Sequence, residues 1–257
     1  MEKRFYAEEV AKAVNGQVKE VTKNRVPKIG IMLPTETKVS PVVYIDEYYE
    51  NGRTIEEAID MVRGFEGSCP AGYDEEIFNM INDYEKVKDK IRVRLYNKEV
   101  GGDIKTTAKK YGFPDLILVP YVEGIVENGS IKVTKELLEK WGITKEKLIR
   151  DGIKNLDYEV MGMMEMLFGV KEENPQMWVV TNKEKCYGAA SIIAAKKELA
   201  KRFPDGYIVL PSSIHEVLIV SKDIGEGSEL LNMVKEINAT AVSPEDKLSD
   251  NVYEMTA

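Results

Sequence analysis

The chain has 257 residues, of which 43% are hydrophobic, and a net charge of −8. This is the composition of a globular protein with one large domain or two small ones. No apolar run approaches the ~20 residues that a membrane span needs, and residues 1–10 lack the apolar core of a signal peptide, so we expect a cytoplasmic protein without membrane contact. A single histidine, His215, and two cysteines, Cys69 and Cys186, are too few for a disulfide framework or a zinc cluster. We therefore expect reduced thiols, no metal and no cofactor.

The N-terminal part of the chain, to about residue 90, is predicted to be rich in helices. Apolar periodicity and turn signals predict, in chain order, a helix over 5–14, strands over 16–24 and 26–32, an apolar and aromatic segment over 42–49, and helices over 55–65 and 74–88. Thr54 and Glu57 have the spacing of a capping box, in which each side chain bonds the other residue's backbone N–H. The second helix is therefore expected to begin at Ile55.

The C-terminal part, residues 91–257, is predicted to contain the sheet. Its elements, in chain order, are strands over 91–95, 115–121 and 130–133, helices over 134–141 and 144–155, a strand over 177–182, a helix over 188–203, strands over 207–210 and 214–220, and helices starting at 228 and 243. The alternation within 91–95 indicates a half-exposed strand. Strands that follow one another directly predict an α+β fold with a mixed or antiparallel sheet. We expect 1–257 to form a single unit, with 1–90 and 91–257 as candidate subdomains.

Five strings of residues resemble segments of a known protein family. These strings are Val180–Asn182, Tyr187–Ala190, Leu210–Val217, Met233–Asn238 and Leu248–Tyr253. The family that they resemble is an uncharacterised one, whose members are cytosolic proteins of anaerobic Gram-positive bacteria and are often encoded near mobile elements. The resemblance implies one full-length unit in a bacterial cytosol. It implies no activity, substrate or cofactor.

Acidic residues are concentrated between residues 46 and 85. This segment holds twelve aspartates and glutamates against two arginines, so its net charge is −10 and that of the remaining chain is +2. Ordinary surfaces mix charges of both signs, and this excess predicts a surface that binds a basic protein partner. The alternative explanation is a pair of amphipathic helices with solvated outer faces. The residues assigned to the binding surface are Asp46, Glu47, Tyr48, Tyr49, Glu56, Glu57, Asp60, Glu75 and Glu76.

Our first hypothesis is therefore a non-catalytic binding protein, an accessory or inhibitor that acts through residues 46–85. Direct nucleic-acid binding is disfavoured, because it requires a basic face. No glycine-rich phosphate-binding pattern is present, which is why no nucleotide cofactor is expected. The sequence does not indicate an oligomeric state.

The second hypothesis is a hydrolase that uses His215 as a base, with Ser212 or Ser213 as the nucleophile. Such a pair needs a hydrogen bond between the hydroxyl and the imidazole. On an extended chain, Ser213 and His215 share a face but lie ~6–7 Å apart along it. On the predicted strand 214–220, Glu216 points to the face opposite His215. A turn whose hydroxyls bond the backbone, followed by a strand with a hydrogen-bonded histidine, explains the same residues. We favour the non-catalytic hypothesis.

Overall fold

The computed structural model describes residues 2–34, 42–65, 73–100, 102–125, 129–224 and 227–256. The chain divides into two compact units, Met1–Lys86 (unit 1) and Val87–Ala257 (unit 2). All the strand pairings found in the described residues are antiparallel, and helices lie between and beside the strands. The prediction of an α+β fold is confirmed.

Unit 1 combines helices with a three-stranded sheet of order β1-β2-β3. Its elements are α1 (Lys3–Ala13), β1 (Gln17–Lys23), β2 (Val26–Met32), β3 (Val42–Tyr44), α2 (Asp46–Glu50), α3 (Ile55–Arg63), α4 (Tyr73–Ile81) and, at the boundary with unit 2, α5 (Tyr84–Val87). Asn24 and Arg25 both have positive φ, which is the backbone of a tight two-residue hairpin turn between β1 and β2. Helix α1 packs against β2 and α3, and buries Tyr6 and Val10 in the core of this unit.

Unit 2 contains a four-stranded and a five-stranded sheet. Its elements are β4 (Ile91–Asn97), β5 (Thr106–Thr107), β6 (Leu116–Glu123), β7 (Ser130–Lys132), α6 (Lys135–Trp141), α7 (Lys145–Lys154), β8 (Glu159–Gly162), α8 (Met163–Phe168), β9 (Met177–Thr181), α9 (Ile192–Arg202), β10 (Tyr207–Leu210), β11 (Val217–Ser221), α10 (Gly227–Thr240) and β12 (Tyr253–Met255). The smaller sheet has the order β4-β6-β5, with β7 also paired to β6, and the larger has the order β12-β10-β11-β9-β8. A 3-10 turn over Gly188–Ser191 leads into α9.

Strand β4 joins the core of unit 2 to the candidate site. Because side chains alternate along a strand, Val93 and Leu95 face one way, and both are buried in the main core cluster. Helix α7 packs on this side, where Gly152 lies so close to Val93 that a Cβ would be 2.9 Å from a Val93 methyl group. Arg92 and Arg94 therefore lie on the opposite face of the strand. The expected half-exposed strand is wrong, because Arg94 is also buried.

The C-terminal segment is attached to the rest of unit 2 by hydrogen bonds to Asp115. The Tyr253 hydroxyl donates to Asp115 Oδ1 at 2.6 Å, while the Ser249 hydroxyl and the Asn251 side-chain amide donate to Oδ2 at 3.1 and 2.9 Å. Burial alone would raise the pKa of Asp115, but these hydrogen bonds, led by that from Tyr253, lower it. Strand β12, which was not predicted, is thereby held beside β10.

Two predicted helices differ from the structure for local reasons. The helix predicted over 74–88 is interrupted, because the Asn82 side chain donates to the carbonyl of Phe78 and the Asp83 side chain accepts the N–H of Glu85. The helix predicted to start at Ser243 is a single turn instead. The following backbone groups bond to residues 211–214, so they are not available to continue a helix.

Candidate functional site

The acidic residues that were assigned to the binding surface lie on α2, α3 and α4 of unit 1. On α3, Ala58 and Val62 are buried, while Glu56 and Asp60 are exposed on the opposite side of the helix. Glu47 on α2 is exposed as well, and so are Glu75 and Glu76, which are consecutive residues of α4. Within the part of the chain that the structure describes, none of these five carboxylates has an ion pair. We call Glu47, Glu56, Asp60, Glu75 and Glu76 the exposed acids.

Asp46, which was assigned to the binding surface, lies in the interior of unit 1. Only 2% of the residue is exposed. Its Oδ2 accepts the backbone N–H of Ile29 at 2.9 Å, and its Oδ1 lies 2.6 Å from the Lys3 ammonium. Asp46 therefore connects α1, β2 and α2 and cannot contact a partner, so its assignment to the surface is corrected.

Three further residues of the predicted surface are engaged in the structure of unit 1. Glu57 completes the capping box that was predicted with Thr54, and it also pairs with Arg53 at 2.9 Å. The hydrogen bond from the Thr54 backbone N–H lowers the pKa of Glu57. Tyr48 and Tyr49 are half-buried and pack against the core of unit 1. Glu57 is exposed but its substitution would disturb the start of α3.

The two candidate nucleophiles do not contact the imidazole of His215. Strand β11 begins at Val217, so His215 lies in the bend before it and not on the predicted strand, and Ser213 forms an isolated β-bridge with Lys247. The Ser213 hydroxyl accepts the backbone N–H of His215 at 2.9 Å. The Ser212 hydroxyl is buried and has no hydrogen-bond partner among the described residues. Ser213 thus bonds the backbone, as expected for the alternative in which these hydroxyls only stabilise a turn.

The imidazole of His215 is held on both sides. Its Nδ1 accepts the backbone N–H of Tyr187 at 3.1 Å, and its Nε2 lies 3.0 Å from Asp246 Oδ1. An accepting Nδ1 places the ring proton on Nε2, which donates to the carboxylate. The His215 carbonyl accepts the Gly188 N–H and the Thr181 hydroxyl. His215 therefore fastens the turn over residues 182–188, and the hydrolase hypothesis stays a prediction that these contacts do not favour.

The same turn covers a buried cluster around Arg94. The Arg94 guanidinium is stacked between two tyrosines, 4.2 Å from the ring centre of Tyr121 and 3.7 Å from that of Tyr187. Its Nε and Nη2 lie 2.9 and 2.8 Å from one carboxylate oxygen of Glu123. Burial alone would lower the pKa of Arg94, but the charge of Glu123 and hydrogen bonding with Tyr96 raise it. Burial raises the pKa of Tyr121, so its hydroxyl stays protonated beside the guanidinium–carboxylate pair.

A cleft of about 960 Å³ opens beside this cluster, and we call it the Arg94 cleft. It is lined by residues of β4 and β6, of the turn over 182–188 and of the 3-10 turn before α9. Residues 89–90, 129–130 and 156–157 complete the lining. The side chains on which its chemistry depends are Lys90, Arg92, Arg94, Glu123, Tyr187 and Ser191. Ser191 is 1% exposed, and its hydroxyl has no hydrogen-bond partner among the described residues.

Residues 3–256 match the sequence model of DUF5688, described as a family of unknown function. The chain belongs to this family. The predicted membership of an uncharacterised family is thereby confirmed over nearly the whole chain. No curated protein and no solved structure matches it. In the residues that the structure describes, no helix is both long and apolar enough to cross a membrane, and no group of three metal-ligating side chains is found.

In this DUF5688 chain, several residues of the Arg94 cleft were not predicted from the sequence. Arg94, Tyr121 and Tyr187 come from three separate elements, and only the fold brings them together. Asp246 was interpreted as part of a helix start and not as a partner of His215. One signal was available: Arg92 and Arg94 alternate with buried residues, which placed both on one face of a strand. Cys69 lies outside the described residues, whereas Cys186 lies exposed on the wall of the cleft.

Proposed function

We propose that the protein is a non-catalytic binding protein of the bacterial cytosol, an accessory or inhibitor that recognises a basic protein partner through the exposed acids of unit 1. The observation that carries this proposal is the absence of ion pairs at all five exposed acids within the described residues. The bacterial and cytosolic setting rests on the family resemblance.

Unneutralised like charges repel one another in the folded state. Glu56 and Asp60 are four residues apart on one side of α3, and like charges at this spacing destabilise a helix slightly. An acidic surface also raises the rate of encounter with a basic partner by roughly 10- to 1,000-fold at low salt. A partner that supplies lysines and arginines would remove the repulsion and use this field.

Charge reversal tests the proposal. Replacing Glu56, Asp60, Glu75 and Glu76 with lysine leaves Asp46 and Glu57, and therefore the structure around them, unchanged. A matched control reverses four exposed glutamates of unit 2 and has the same net charge: Glu139, Glu172, Glu173 and Glu236.

Both variants and the wild type are used as bait in a lysate of the source cells, and the captured protein is then purified for kinetic measurements. The wild type and the control should bind one basic protein, with an association rate that falls steeply as salt shortens the screening length from about 10 Å at 0.1 M to about 3 Å at 1 M. The reversed variant should lose this binding while its circular dichroism stays unchanged. Equal association rates and equal salt dependence for all three proteins would refute the proposal.

A further inference from the structure

The Arg94 cleft has an unusual residue at its inner wall. Ser191 is the last residue of the 3-10 turn that leads into α9, and because its backbone angles are already helical, its side chain does not cap the helix. Ser191 lines the cleft, and its buried hydroxyl has no partner in the described residues. A buried hydroxyl without a hydrogen bond is costly, and a ligand that accepts its proton would remove this cost.

The cleft also holds cations that are fixed in place without being neutralised. The Lys90 ammonium donates to the carbonyl of Gly124 at 2.9 Å, and Arg92 Nη1 donates to the carbonyls of Asp89 and Ile91 at 2.7 and 3.0 Å. Carbonyl oxygens hold these groups but carry no net charge. Neither cation has an ion pair within the described part of the chain.

The acids of the cleft do not cancel this charge in its interior. Glu123 is bound to Arg94, which leaves Asp157 as the other half-buried acid of the lining. Asp89 and Glu184 are exposed and lie at the rim. Arg92 and Lys90 therefore exceed Asp157 by one positive charge in the half-buried part of the cleft. Its volume of about 960 Å³ lies within the range of small-molecule sites.

We infer that the Arg94 cleft binds a small molecule with one anionic oxygen group, a carboxylate or a phosphate monoester. The anionic group accepts the hydrogen bond of the Ser191 hydroxyl and lies in the field of Arg92 and Lys90. The stacked Arg94 forms the floor of the site, because the two tyrosine rings and Glu123 hold its guanidinium in one orientation. The site lies entirely within unit 2 and does not depend on the exposed acids of unit 1.

Thermal unfolding of the full chain tests this site. Both tryptophans, Trp141 and Trp178, belong to unit 2, so their fluorescence reports its unfolding. Sodium acetate and sodium phosphate serve as probes, each titrated at an ionic strength held constant with sodium chloride. A ligand that binds the folded state raises the unfolding temperature in a saturable way. We expect such a rise with acetate, with phosphate or with both, and the probe that acts identifies the chemical group.

Three variants locate the effect. Ser191→Ala and Arg92→Gln should weaken the apparent affinity by about tenfold or more, as expected for a lost hydrogen bond or charge at an anion. Without a probe, Ser191→Ala should unfold at the same or a higher temperature, because it removes an unsatisfied hydroxyl. Arg150→Gln is the control, because it removes an exposed cation from a separate cavity of about 330 Å³. Its unfolding temperature should rise with each probe as that of the wild type does. The inference is overturned if neither probe gives a saturable rise, or if Ser191→Ala and Arg92→Gln respond like the wild type.

Discussion

Replacing His215 with alanine should destabilise unit 2, because alanine reaches neither partner of the imidazole. The backbone N–H of Tyr187 loses its acceptor, which costs about 1–3 kcal/mol for a group shielded from water. The contact with Asp246 joins side chains that are 26% and 34% exposed, so it adds at most about 1 kcal/mol. We expect a total loss of about 2–3 kcal/mol in the free energy of unfolding.

Urea unfolding followed by tryptophan fluorescence measures this loss, and Asp246→Asn is the matched control. In the control, the His215–Tyr187 bond stays and the amide oxygen still accepts from Nε2, so the cost should stay below about 1 kcal/mol. The midpoint of His215→Ala should fall by roughly 1 M urea, given the usual slopes. Equal costs for the two variants would refute the assignment of His215 as the residue that fastens the turn over 182–188. A folded His215→Ala protein that loses a hydrolytic activity of the wild type would support the hydrolase hypothesis instead.

Three further outcomes are expected. Gly188→Ala should lower the free energy of unfolding by about 2 kcal/mol or more, because a Cβ would lie 2.4–2.7 Å from three atoms, two of them backbone. Gly227→Ala is the control, since a Cβ there meets nothing within 4 Å, and the urea midpoints of the two variants measure the difference. The lowered pKa of Asp115 means that its carboxylate stabilises the fold above the unfolded-state pKa of about 3.9, and that this contribution is lost as the pH falls through the folded-state pKa. Asp115→Asn should therefore be less stable at pH 7 and lose less stability than the wild type between about pH 5 and pH 2, as urea midpoints at each pH would show. Thiol titration without reductant should detect two thiols, with Cys186 reacting quickly because it is exposed; a titration that finds them only after reduction would contradict this.

Local patterns predicted much of the fold because they reflect local physics. The capping box at Thr54 and Glu57 set the start of α3, and alternating or continuous apolar runs located β1, β2, β6, β9 and β10. The errors occurred where distant contacts decided the structure. The backbone after Ser243 bonds to residues 211–214, and this pairing stops a helix whose local start signal was strong. Strand β11 likewise begins at Val217 and not at the predicted residue 214, because hydrogen bonds to distant residues fix the bend that precedes it.

The candidate sites were predictable to different degrees. The exposed acids follow from charge counts and helix periodicity, both of which are local, although no local pattern shows that Asp46 is buried beneath Lys3. The Arg94 cleft was not predictable in this way. The alternation in β4 placed Arg92 and Arg94 on a polar face, but the sequence does not show that Tyr187 covers that face. The face of a strand on which a side chain lies is set by local alternation, whereas the burial of that face depends on what packs against it.

The energetics of the Arg94 cluster favour a role in binding over a role in stability. Replacing a largely buried ion pair with well-packed apolar side chains is often neutral or stabilising. The Arg94 and Glu123 side chains are 9% and 31% exposed, so stability alone does not require this pair. The turn that covers Arg94 also holds Lys185 and Tyr187 at φ values of 52° and 54°, and each such residue costs of the order of 1 kcal/mol or more. The unsatisfied Ser191 hydroxyl adds a third cost at the same place. Unfavourable terms that meet at one cleft are typical of sites shaped for a ligand, because ligand contacts can offset them.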